Sequence, residues 1–474
     1  MPKNRNDFHS IPNPSTSRLR LIKTLVLAGG LSALAGIAQA ATLQTIYTFP
    51  ASGASGCYPN GTLLRDATDA LYGATGGCPI SQINTVFKLT PPLPGQTQWK
   101  ASVLHSFSGG FDGLTPNADL VKDANGALYG TAMDAGAGLQ GVVFQLKPPA
   151  PGQTSWTENV LHAFNYNVAY GIGDGAFPGA GVIRDDQGAL YGTTLYGGSM
   201  SDPRWVGFGA VFQLKPPAAG QSTWQHTVLY RFRGGADGES PFAGLTRDAT
   251  GALYGTTHGG GIASCPRFDG SFTGCGTVFK LTPPAPGQTR WTKTILHRFR
   301  NGLDGGYPIG KLLLDGTGAI YGTTYQGGKG PCNDGFDHVI GCGTVFKLTP
   351  PALGQMTWTE TVLYHFKGIP DGMGPRGGVI PDGAGNLYGT TLAGGTGNCP
   401  DLVYRVVGCG VLFKLAPPAP GQTRWTKSVV YSFKGESDGW KPLGEIVRDG
   451  KGNLIGIASL GTSSNFGAVF AIKP

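Results

Sequence analysis

The chain has 474 residues, of which 80 are Gly and 35 are Pro, and only 14% of them are charged. A hydrophobic content of 40% over this length is ample for a packed core and excludes a disordered chain. The formal net charge of +8 falls to +4 without the first forty residues, which carry five Lys/Arg and one Asp, and no basic run remains. This balance excludes a nucleic-acid-binding surface.

The first forty residues are predicted to be an export signal. Arg18, Arg20 and Lys23 precede an apolar stretch, 24–37, and residues 38–40 read Ala-Gln-Ala, a small-x-small cleavage pattern. The alternative is an uncleaved membrane anchor, but the apolar stretch is short for a bilayer span and contains three glycines. We therefore predict cleavage after Ala40, a secreted or periplasmic location, and no membrane association after cleavage.

Seven copies of one β repeat follow the signal. Each copy carries a Leu/Ile-Tyr-Gly triplet, or Leu-Ile-Gly in the last copy, at intervals of 57 to 67 residues. The triplets begin at Leu71, Leu128, Leu190, Leu253, Ile320, Leu387 and Leu454. Each copy also contains four short segments rich in β-branched and aromatic residues, which predict four strands. In copy four these segments are 243–248, 252–257, 276–281 and 294–299.

Four antiparallel strands repeated radially are typical of the blades of a β-propeller. The seventh copy ends after its third strand, 467–472, whereas a segment with the fourth-strand pattern, 44–49, stands directly after the signal. Pairing these two segments closes the ring and removes the edge that an open array exposes. The predicted fold is therefore all-β: one seven-bladed propeller of four-stranded antiparallel blades, spanning 41–474, with its last blade completed by the N-terminal strand.

The repeated motifs resemble the GloVer tandem-repeat family of exported bacterial proteins. They are the Leu-Tyr-Gly-Thr-Thr copies, the Gly-Thr-Val-Phe-Lys-Leu segment and the Pro-Pro-Ala-Pro-Gly-Gln-Thr-x-Trp connector, and the likeness covers about 430 residues. The resemblance implies an exported bacterial protein of undetermined activity and supplies no catalytic residues. Family members often carry a C-terminal surface-sorting tail. This chain ends directly after a strand, so soluble export is expected instead of anchoring.

Antiparallel order places the loops between strands two and three on the same side as the links from strand four to the next blade. We call this side the variable face, because its loops differ between copies, and variable loops on a rigid scaffold commonly carry function. Their aromatic and charged residues are the candidate binding residues, and the alternative is that they are solvated loop decoration. The candidates are Asp202, Arg204, Trp205, Arg267, Phe268, Asp269, Phe272, Asp334, Phe336, Asp337, His338, Asp401, Tyr404 and Arg405.

The opposite face carries near-identical connectors, each of which ends in a tryptophan. We expect these tryptophans to pack where the outer strand begins, although a repeated binding surface is the alternative. They are Trp99, Trp156, Trp224, Trp291, Trp358 and Trp425.

Eight cysteines behind an export signal favour disulfides over metal or redox sites. Three pairs, each ten residues apart, flank the loops between strands two and three: Cys265 with Cys275, Cys332 with Cys342, and Cys399 with Cys409. Closing a loop of this size stabilises the fold by roughly 3 kcal/mol in the chain-entropy model. Cys57 and Cys78 lie in segments on the same face and can form a fourth bridge.

Six of the seven links contain an Asp-Gly pair, and the first copy has Ser55-Gly56 there. The aspartates are Asp112, Asp174, Asp237, Asp304, Asp371 and Asp438. A ring of carboxylates near the mouth of the channel could bind cations or polyols, but Asx-turn chemistry explains the recurrence better.

His105, His162 and His297 share one repeat position with tyrosines, which indicates packing and not catalysis.

The sequence therefore favours an exported, monomeric binding module that engages a glycan, peptide or protein through the variable face. No cofactor, metal site or catalytic constellation is predicted. One alternative is an enzyme acting on extracellular polysaccharide, which requires two loop carboxylates about 5 to 9.5 Å apart. The other alternative is a passive envelope or matrix component.

Overall fold

Short strands make up almost all the regular structure in the computed structural model of this chain. The structure describes residues 41–50, 52, 55–77, 83–117, 119–167, 172–198, 207–262, 265–266, 272–333, 339–399, 407–435, 438–462 and 465–474. The predicted export signal and part of the variable loops lie outside these ranges. No helix among the described residues is long and apolar enough to cross a membrane.

Seven antiparallel sheets form the blades, each with four strands in the order first to fourth from the inside outward. Blade one contains Pro59–Arg65, Leu71–Thr75, Asn84–Thr90 and Lys100–Phe107. Blade two contains a first strand split into Leu114–Pro116 and Val121–Lys122, then Leu128–Asp134, Val142–Lys147 and Thr157–Ala163. Blade three contains Ile183–Arg184, Leu190–Thr194, Ala210–Lys215 and Gln225–Arg231.

Blades four to seven repeat this arrangement. Blade four contains Thr246–Arg247, Leu253–Thr257, Thr277–Thr282 and Thr292–Arg298. Blade five contains Leu313–Leu314, Ile320–Thr324, Thr344–Thr349 and Thr359–His365. Blade six contains Ile380–Pro381, Leu387–Thr391, Val411–Ala416 and Thr426–Ser432. Blade seven contains Trp440–Arg448, Leu454–Leu460, Ala468–Lys473 and Thr42–Thr48.

Three small elements complete the described structure. Two hairpins pair Tyr166–Asn167 with Ile172–Gly173 and Cys265–Pro266 with Phe272–Thr273. A single 3₁₀ turn spans Gly235–Asp237. The predicted fold class, an all-β propeller of seven blades, is confirmed.

The ring closes as the sequence predicts. Thr42 lies opposite Lys473 and Thr48 opposite Ala468 in an antiparallel pair between the first and last strands of the chain. The next residue, Phe49, is fully buried and donates its backbone N–H to the Gly467 carbonyl over 3.1 Å. The two ends of the chain therefore share one sheet, and no strand edge is exposed between the last blade and the first.

The same phenylalanine pair seals every contact between neighbouring blades. A buried Phe just after the fourth-strand position of one blade meets a buried Phe on the third strand of the next, edge to ring, with centroids 5.0 to 5.3 Å apart. Edge-to-face aromatic pairs add attraction to the large apolar area that they bury. The pairs are Phe49–Phe87, Phe107–Phe144, Phe164–Phe212, Phe232–Phe279, Phe299–Phe346, Phe366–Phe413 and Phe433–Phe470.

The first strands of blades three to six contain only two residues each, and in copy four the expected strand 243–248 is reduced to Thr246–Arg247. A proline begins the first-strand segment of every copy, here Pro241, and proline has no N–H to donate to the ladder. In blades one and seven the proline, Pro59 or Pro442, lies within the strand. The residues after this proline leave the ladder, and in blade one the pairing register shifts between Asn60 and Leu64. The released segments line the centre of the ring.

A glycine directly before the third strand in six blades fits this proline against the preceding blade, and blade one carries Asn84 at that position. The glycines that contact a proline of the next blade have φ between +91° and +94°, and an added Cβ would lie 2.6 to 2.7 Å from the proline Cδ. A side chain there would be strained and would also separate the blades. The glycines are Gly141, Gly209, Gly276, Gly343, Gly410 and Gly467.

The predicted loop disulfides form. Cys265–Cys275, Cys332–Cys342 and Cys399–Cys409 have Cα atoms 5.0 to 5.2 Å apart. Cys57 is also disulfide-bonded, and its predicted partner Cys78 lies outside the described residues.

The connector tryptophans pack where the outer strands begin, as predicted. Trp224 meets Tyr129 of the preceding blade edge to face at 6.1 Å, and Trp291 meets Tyr191 in the same way at 6.4 Å. The other four also lie against the apolar clusters between blades. They tie the start of an outer strand to its neighbour.

Closure makes a testable prediction about stability. Phe49→Ala is expected to lower the free energy of unfolding by about 3 to 5 kcal/mol, as the loss of any buried phenylalanine does. Phe433→Ala removes the equivalent side chain from a blade that one continuous stretch of chain completes, and it is the matched control. Guanidinium denaturation should give similar losses. A negligible loss for Phe49→Ala beside a full loss for Phe433→Ala would contradict closure.

Candidate functional site

Almost all the loop residues predicted to form a binding site lie outside the described residues. Phe272 is the exception, in the short strand that pairs with Cys265–Pro266. The others are Asp202, Arg204, Trp205, Arg267, Phe268, Asp269, Asp334, Phe336, Asp337, His338, Asp401, Tyr404 and Arg405. Their convergence on one site stays a prediction.

The described parts of the variable face expose several large apolar side chains. Three links each expose one, those of Phe111, Leu303 and Ile369, and five loops do the same. The loop residues are Leu139, Tyr196, Ile262, Val339 and Val407. The opposite face also exposes Leu93, Leu353 and Met356, and such side chains mark a binding surface only where they form a contiguous patch.

The link aspartates bind the outer strands and are not part of the channel lining. Asp237 accepts the backbone N–H of Arg233 over 2.9 Å and the hydroxyl of Tyr230 over 2.7 Å. Five aspartates accept a link N–H four residues earlier, and Asp174 accepts that of Asn165. The aspartates therefore hold the links through donors that precede them in the chain, whereas the predicted Asx turn takes its donor from two residues after the aspartate.

The structure explains why one repeat position carries histidine in some copies and tyrosine in others. Both residues present a polar group to the link aspartate, with His162 Nε2 lying 2.7 Å and Tyr431 Oη 2.6 Å from the carboxylate. In the first copy, which lacks the aspartate, Tyr47 Oη lies 2.9 Å from Ser55 Oγ instead. The position is structural, but its role is a polar contact and not apolar packing alone.

The next blade supplies a third side chain to each of these clusters, from the second residue after the connector tryptophan. We call the three residues together a blade junction. Lys293 Nζ lies 3.0 Å from Asp237, and Lys427 Nζ lies 2.8 Å from Asp371. Both lysine side chains are almost completely buried, at 3% and 2% exposure. Burial lowers the pKa of Lys293 to about 8, although Asp237 opposes the shift.

The cavity at the centre of the ring is the second place where polar side chains gather. It has a volume of about 240 Å³ and is lined by the segments that follow the ladder-breaking prolines. Third after the proline, the seven copies carry Thr62, Asp119, Gly181, Gly244, Lys311, Gly378 and Glu445. This position, like the blade-junction position of Lys293, differs in charge between the copies.

The charges divide the channel into two sectors. Glu445, Thr62 and Asp119 come from blades seven, one and two, and Thr62 joins them. Its N–H donates to Asp119 Oδ1 over 2.8 Å, and its Oγ1 accepts the N–H of Glu445 over 3.1 Å. Lys311 and Arg376 come from blades five and six and form the basic sector.

The channel charges form no ion pair within the described residues, although Asp119 accepts the Thr62 N–H and Arg376 lies 5.9 Å from the centroid of the Tyr325 ring. No described carboxylate lies within 4.0 Å of the Lys311 ammonium or the Arg376 guanidinium, and no described donor reaches the Glu445 carboxylate. Burial raises the pKa of Glu445 to about 7; Lys311 opposes this shift and Asp119 adds to it. Half-buried charges without an ion-pair partner have lost part of their hydration, so the arrangement suits a ligand with complementary groups.

The channel wall is rigid because blades meet backbone to backbone there. A Cβ on Gly444 would lie 2.0 Å from the Gly61 carbonyl oxygen, and one on Gly377 would lie 2.1 Å from that of Gly444. Neighbouring blades can approach this closely only without side chains. The charged residues are therefore mounted on a fixed ring.

Residues 35–268 and 264–474 each match the family model described as the Gloeobacter/Verrucomicrobia repeat. The chain belongs to the Gloeobacter/Verrucomicrobia repeat family. The resemblance that the repeated motifs carry is thereby confirmed. No curated protein matches the chain.

Solved structures similar to this Gloeobacter/Verrucomicrobia repeat protein are distant. A fungal alcohol oxidase of the AA5 family in complex with copper is 13% identical with a TM-score of 0.47, and the match covers 91% of this chain and 76% of that one. A glucose dehydrogenase is 12% identical (TM-score 0.41, 91% and 99% covered). A protein of unknown function from Dyadobacter fermentans DSM 18053 is 9% identical (TM-score 0.41, 91% and 96% covered). Likenesses at this level say nothing about what this chain does.

The buried lysine junctions predict unequal effects of removing equivalent aspartates. Asp371→Ala leaves Lys427 buried without its partner and is expected to cost about 3 to 5 kcal/mol. At the corresponding position facing Asp438 the next blade carries Leu43, so Asp438→Ala loses hydrogen bonds only, about 1 to 3 kcal/mol. Chemical denaturation measures both, and Lys427→Met should restore part of the stability of Asp371→Ala. Equal losses, with no restoration, would contradict an ion pair.

Glu445 predicts a pH dependence of stability. Because its pKa is about 7 instead of 4.5, the folded chain keeps a proton that the unfolded chain has already released. The carboxylate therefore makes stability fall as pH rises from about 4.5 to about 7. Glu445→Gln removes this contribution, so the stability of the wild type relative to the variant should decline across that window. A constant difference in free energy of unfolding would show a normally hydrated carboxylate.

Proposed function

We propose that this protein is an exported binding module whose channel takes up a small carboxylate bearing hydroxyl or amino groups. The observation that carries the proposal is a channel lined by two cations, Lys311 and Arg376, that have no carboxylate within 4.0 Å among the described residues. Asp119 and Glu445 belong to the same lining. Export is supported by the loop disulfides, which persist in oxidising compartments, and by the predicted signal.

The basic sector suits a carboxylate group. Arginine presents paired donors that match the two oxygens of a carboxylate, and lysine adds a point charge. Neither Lys311 nor Arg376 has a carboxylate within 4.0 Å among the described residues, so a bound anion would displace no ion pair. Both cations are half-buried, and a bound anion would replace part of the hydration that they have lost.

The remaining wall suits the rest of such a ligand. Asp119, Asn60 and Asn117 offer acceptors and donors for hydroxyl or amino groups. Phe242 and Ile309 offer apolar surface for a carbon skeleton. Sites for drug-sized molecules have volumes of about 300 to 1,000 Å³, so the channel, at about 240 Å³, suits a smaller compound. A sugar acid and an amino acid share this chemistry.

The variable face offers a second binding surface beside the channel. Its exposed apolar side chains lie on the same face as the end of the channel at which the first strands begin. A longer glycan, a peptide or a protein could rest on this face while its acidic end entered the channel. This retains the sequence-based prediction of a binding face and gives it an anchor point.

An enzyme acting on polysaccharide is the second candidate, favoured by one observation. Glu445, with a pKa near 7, can give or take a proton at neutral pH, and Asp119 lies in the same sector. A carboxyl group that titrates near neutral pH is suited to general acid–base catalysis, and glycoside hydrolysis uses a second carboxyl group beside it. Turnover of oligosaccharides that end in a sugar acid, lost in Glu445→Gln with binding retained, would establish this function.

The binding proposal predicts selective loss of affinity. Calorimetric titration with a panel of sugar acids and amino acids should give saturable binding, and the matching neutral sugars should give none. Lys311→Met and Arg376→Gln should each weaken binding by about tenfold or more, as expected for charge-assisted hydrogen bonds of about 1.5 kcal/mol or more.

Lys451→Met is the matched control, because Lys451 is exposed in a turn on the opposite face. It should leave affinity unchanged. Equal binding of neutral sugars and acids, or no binding across the panel, would contradict the proposal.

A further inference from the structure

Three of the seven blade junctions contain histidine where others contain tyrosine. They are His105–Asp112–Glu158, His162–Asp174–His226 and His297–Asp304–Glu360. In each, the residue contributed by the next blade is another metal-ligating type. The junctions Tyr230–Asp237–Lys293 and Tyr364–Asp371–Lys427 instead contain an ion pair.

The histidine junctions leave polar atoms unsatisfied. Buried atoms without a hydrogen-bond partner include His226 Nε2 and Oε1 of Glu158 and Glu360. The Nε2 atoms of His105 and His297 lie 3.5 and 3.6 Å from their link aspartates, which is too long for a good hydrogen bond. Within the described residues, none of the side chains of the two lysine junctions is among such atoms. Buried polar groups almost always have partners, so orphaned ones at a repeated position point to an ion or a water.

The junction between blades two and three brings its groups closest. His162 Nε2 lies 2.7 Å from Asp174 Oδ2, and one ligand atom of each of His162, Asp174 and His226 lies within 4.8 Å of the other two. It is the one trio in the described parts of the chain that meets this spacing. Two imidazoles and a carboxylate are a donor set for Zn²⁺ and related ions, with a position left for water.

We infer that His162, Asp174 and His226 form a binding site for a divalent transition metal ion of the zinc class. The site lies between the outer strands of blades two and three, away from the channel, and does not depend on the proposed function. His162 and Asp174 retain 18% and 27% side-chain exposure, so an ion can reach them from solvent.

Binding requires one local movement. The rings of His162 and His226 stack with centroids 4.1 Å apart and planes 4° apart, whereas a metal lies in the plane of each imidazole that binds it. The His226 ring is the one that turns, because its Nε2 has no hydrogen bond to lose.

The surroundings give this site an apolar wall. The His162 ring packs edge to face on Phe164 at 4.9 Å, and Phe164 and Phe212 lie 6.0 and 5.8 Å from the His226 ring. On the other side, Asn165 N–H donates to Asp174 Oδ1 over 2.9 Å and orients the carboxylate. An apolar shell and an oriented carboxylate both strengthen metal binding.

The repeat itself supplies the test. His162→Tyr combined with His226→Lys converts this junction into the Tyr–Asp–Lys type found between blades three and four and between blades five and six. Tag-free protein, stripped with a chelator, is titrated with Zn²⁺ by calorimetry and with Co²⁺ by its d–d absorption. The wild type is expected to bind one ion per chain, with the Co²⁺ spectrum of nitrogen and oxygen ligands, and the converted protein to bind none there.

Two further variants keep the result interpretable. His105→Tyr with Glu158→Lys makes the same conversion at the junction of blades one and two and should leave the ion in place. His226→Gln, a milder change, should weaken binding by more than about tenfold. The inference is overturned if the wild type binds no stoichiometric ion, if the converted junction binds as the wild type does, or if the control conversion abolishes binding.

Discussion

The pairing of Thr42–Thr48 with Ala468–Lys473 is the constraint on which the rest of the structure depends. It joins the two ends of the chain in one sheet, so all seven blade contacts become equivalent. The seven phenylalanine pairs, with centroids 5.0 to 5.3 Å apart, are the visible result. Without closure, blades one and seven would each expose an apolar face and an unpaired edge, and there would be no enclosed channel.

The blade junctions show how one repeat position accommodates different chemistry. A link aspartate held by backbone N–H groups stands between two outer strands, and the side chains on either side of it change together. Where the next blade offers Lys293 or Lys427, the partner is tyrosine; where it offers Glu158, His226 or Glu360, the partner is histidine. Compatible charge at the aspartate explains this pairing, because a buried group must find a partner or change its protonation.

The channel combines a backbone that ring closure holds in place with side chains that differ between the copies. Backbone contacts such as Gly444 with Gly61 fix the ring, while Asp119, Glu445, Lys311 and Arg376 differ from their counterparts in the other copies. Charged side chains without an ion-pair partner in the channel lower the stability of the fold. A ligand that binds these charges would explain why they are present, and the rigid wall holds the ligand-binding groups in place before binding.

The sequence by itself determined the architecture. The seven triplets, the orphan segment 44–49 and the Cys pairs ten residues apart predict the blades, the closure and three disulfides, because each depends on local pattern and strand order. The channel site could have been suspected only by aligning the copies and noting charges third after Pro116, Pro308 and Pro442. Tertiary structure alone decided which side chains meet. Asp119 and Glu445 are more than three hundred residues apart in the chain, and His162 and His226 belong to different blades. Their proximity follows from ring curvature and strand register, which no short sequence pattern encodes.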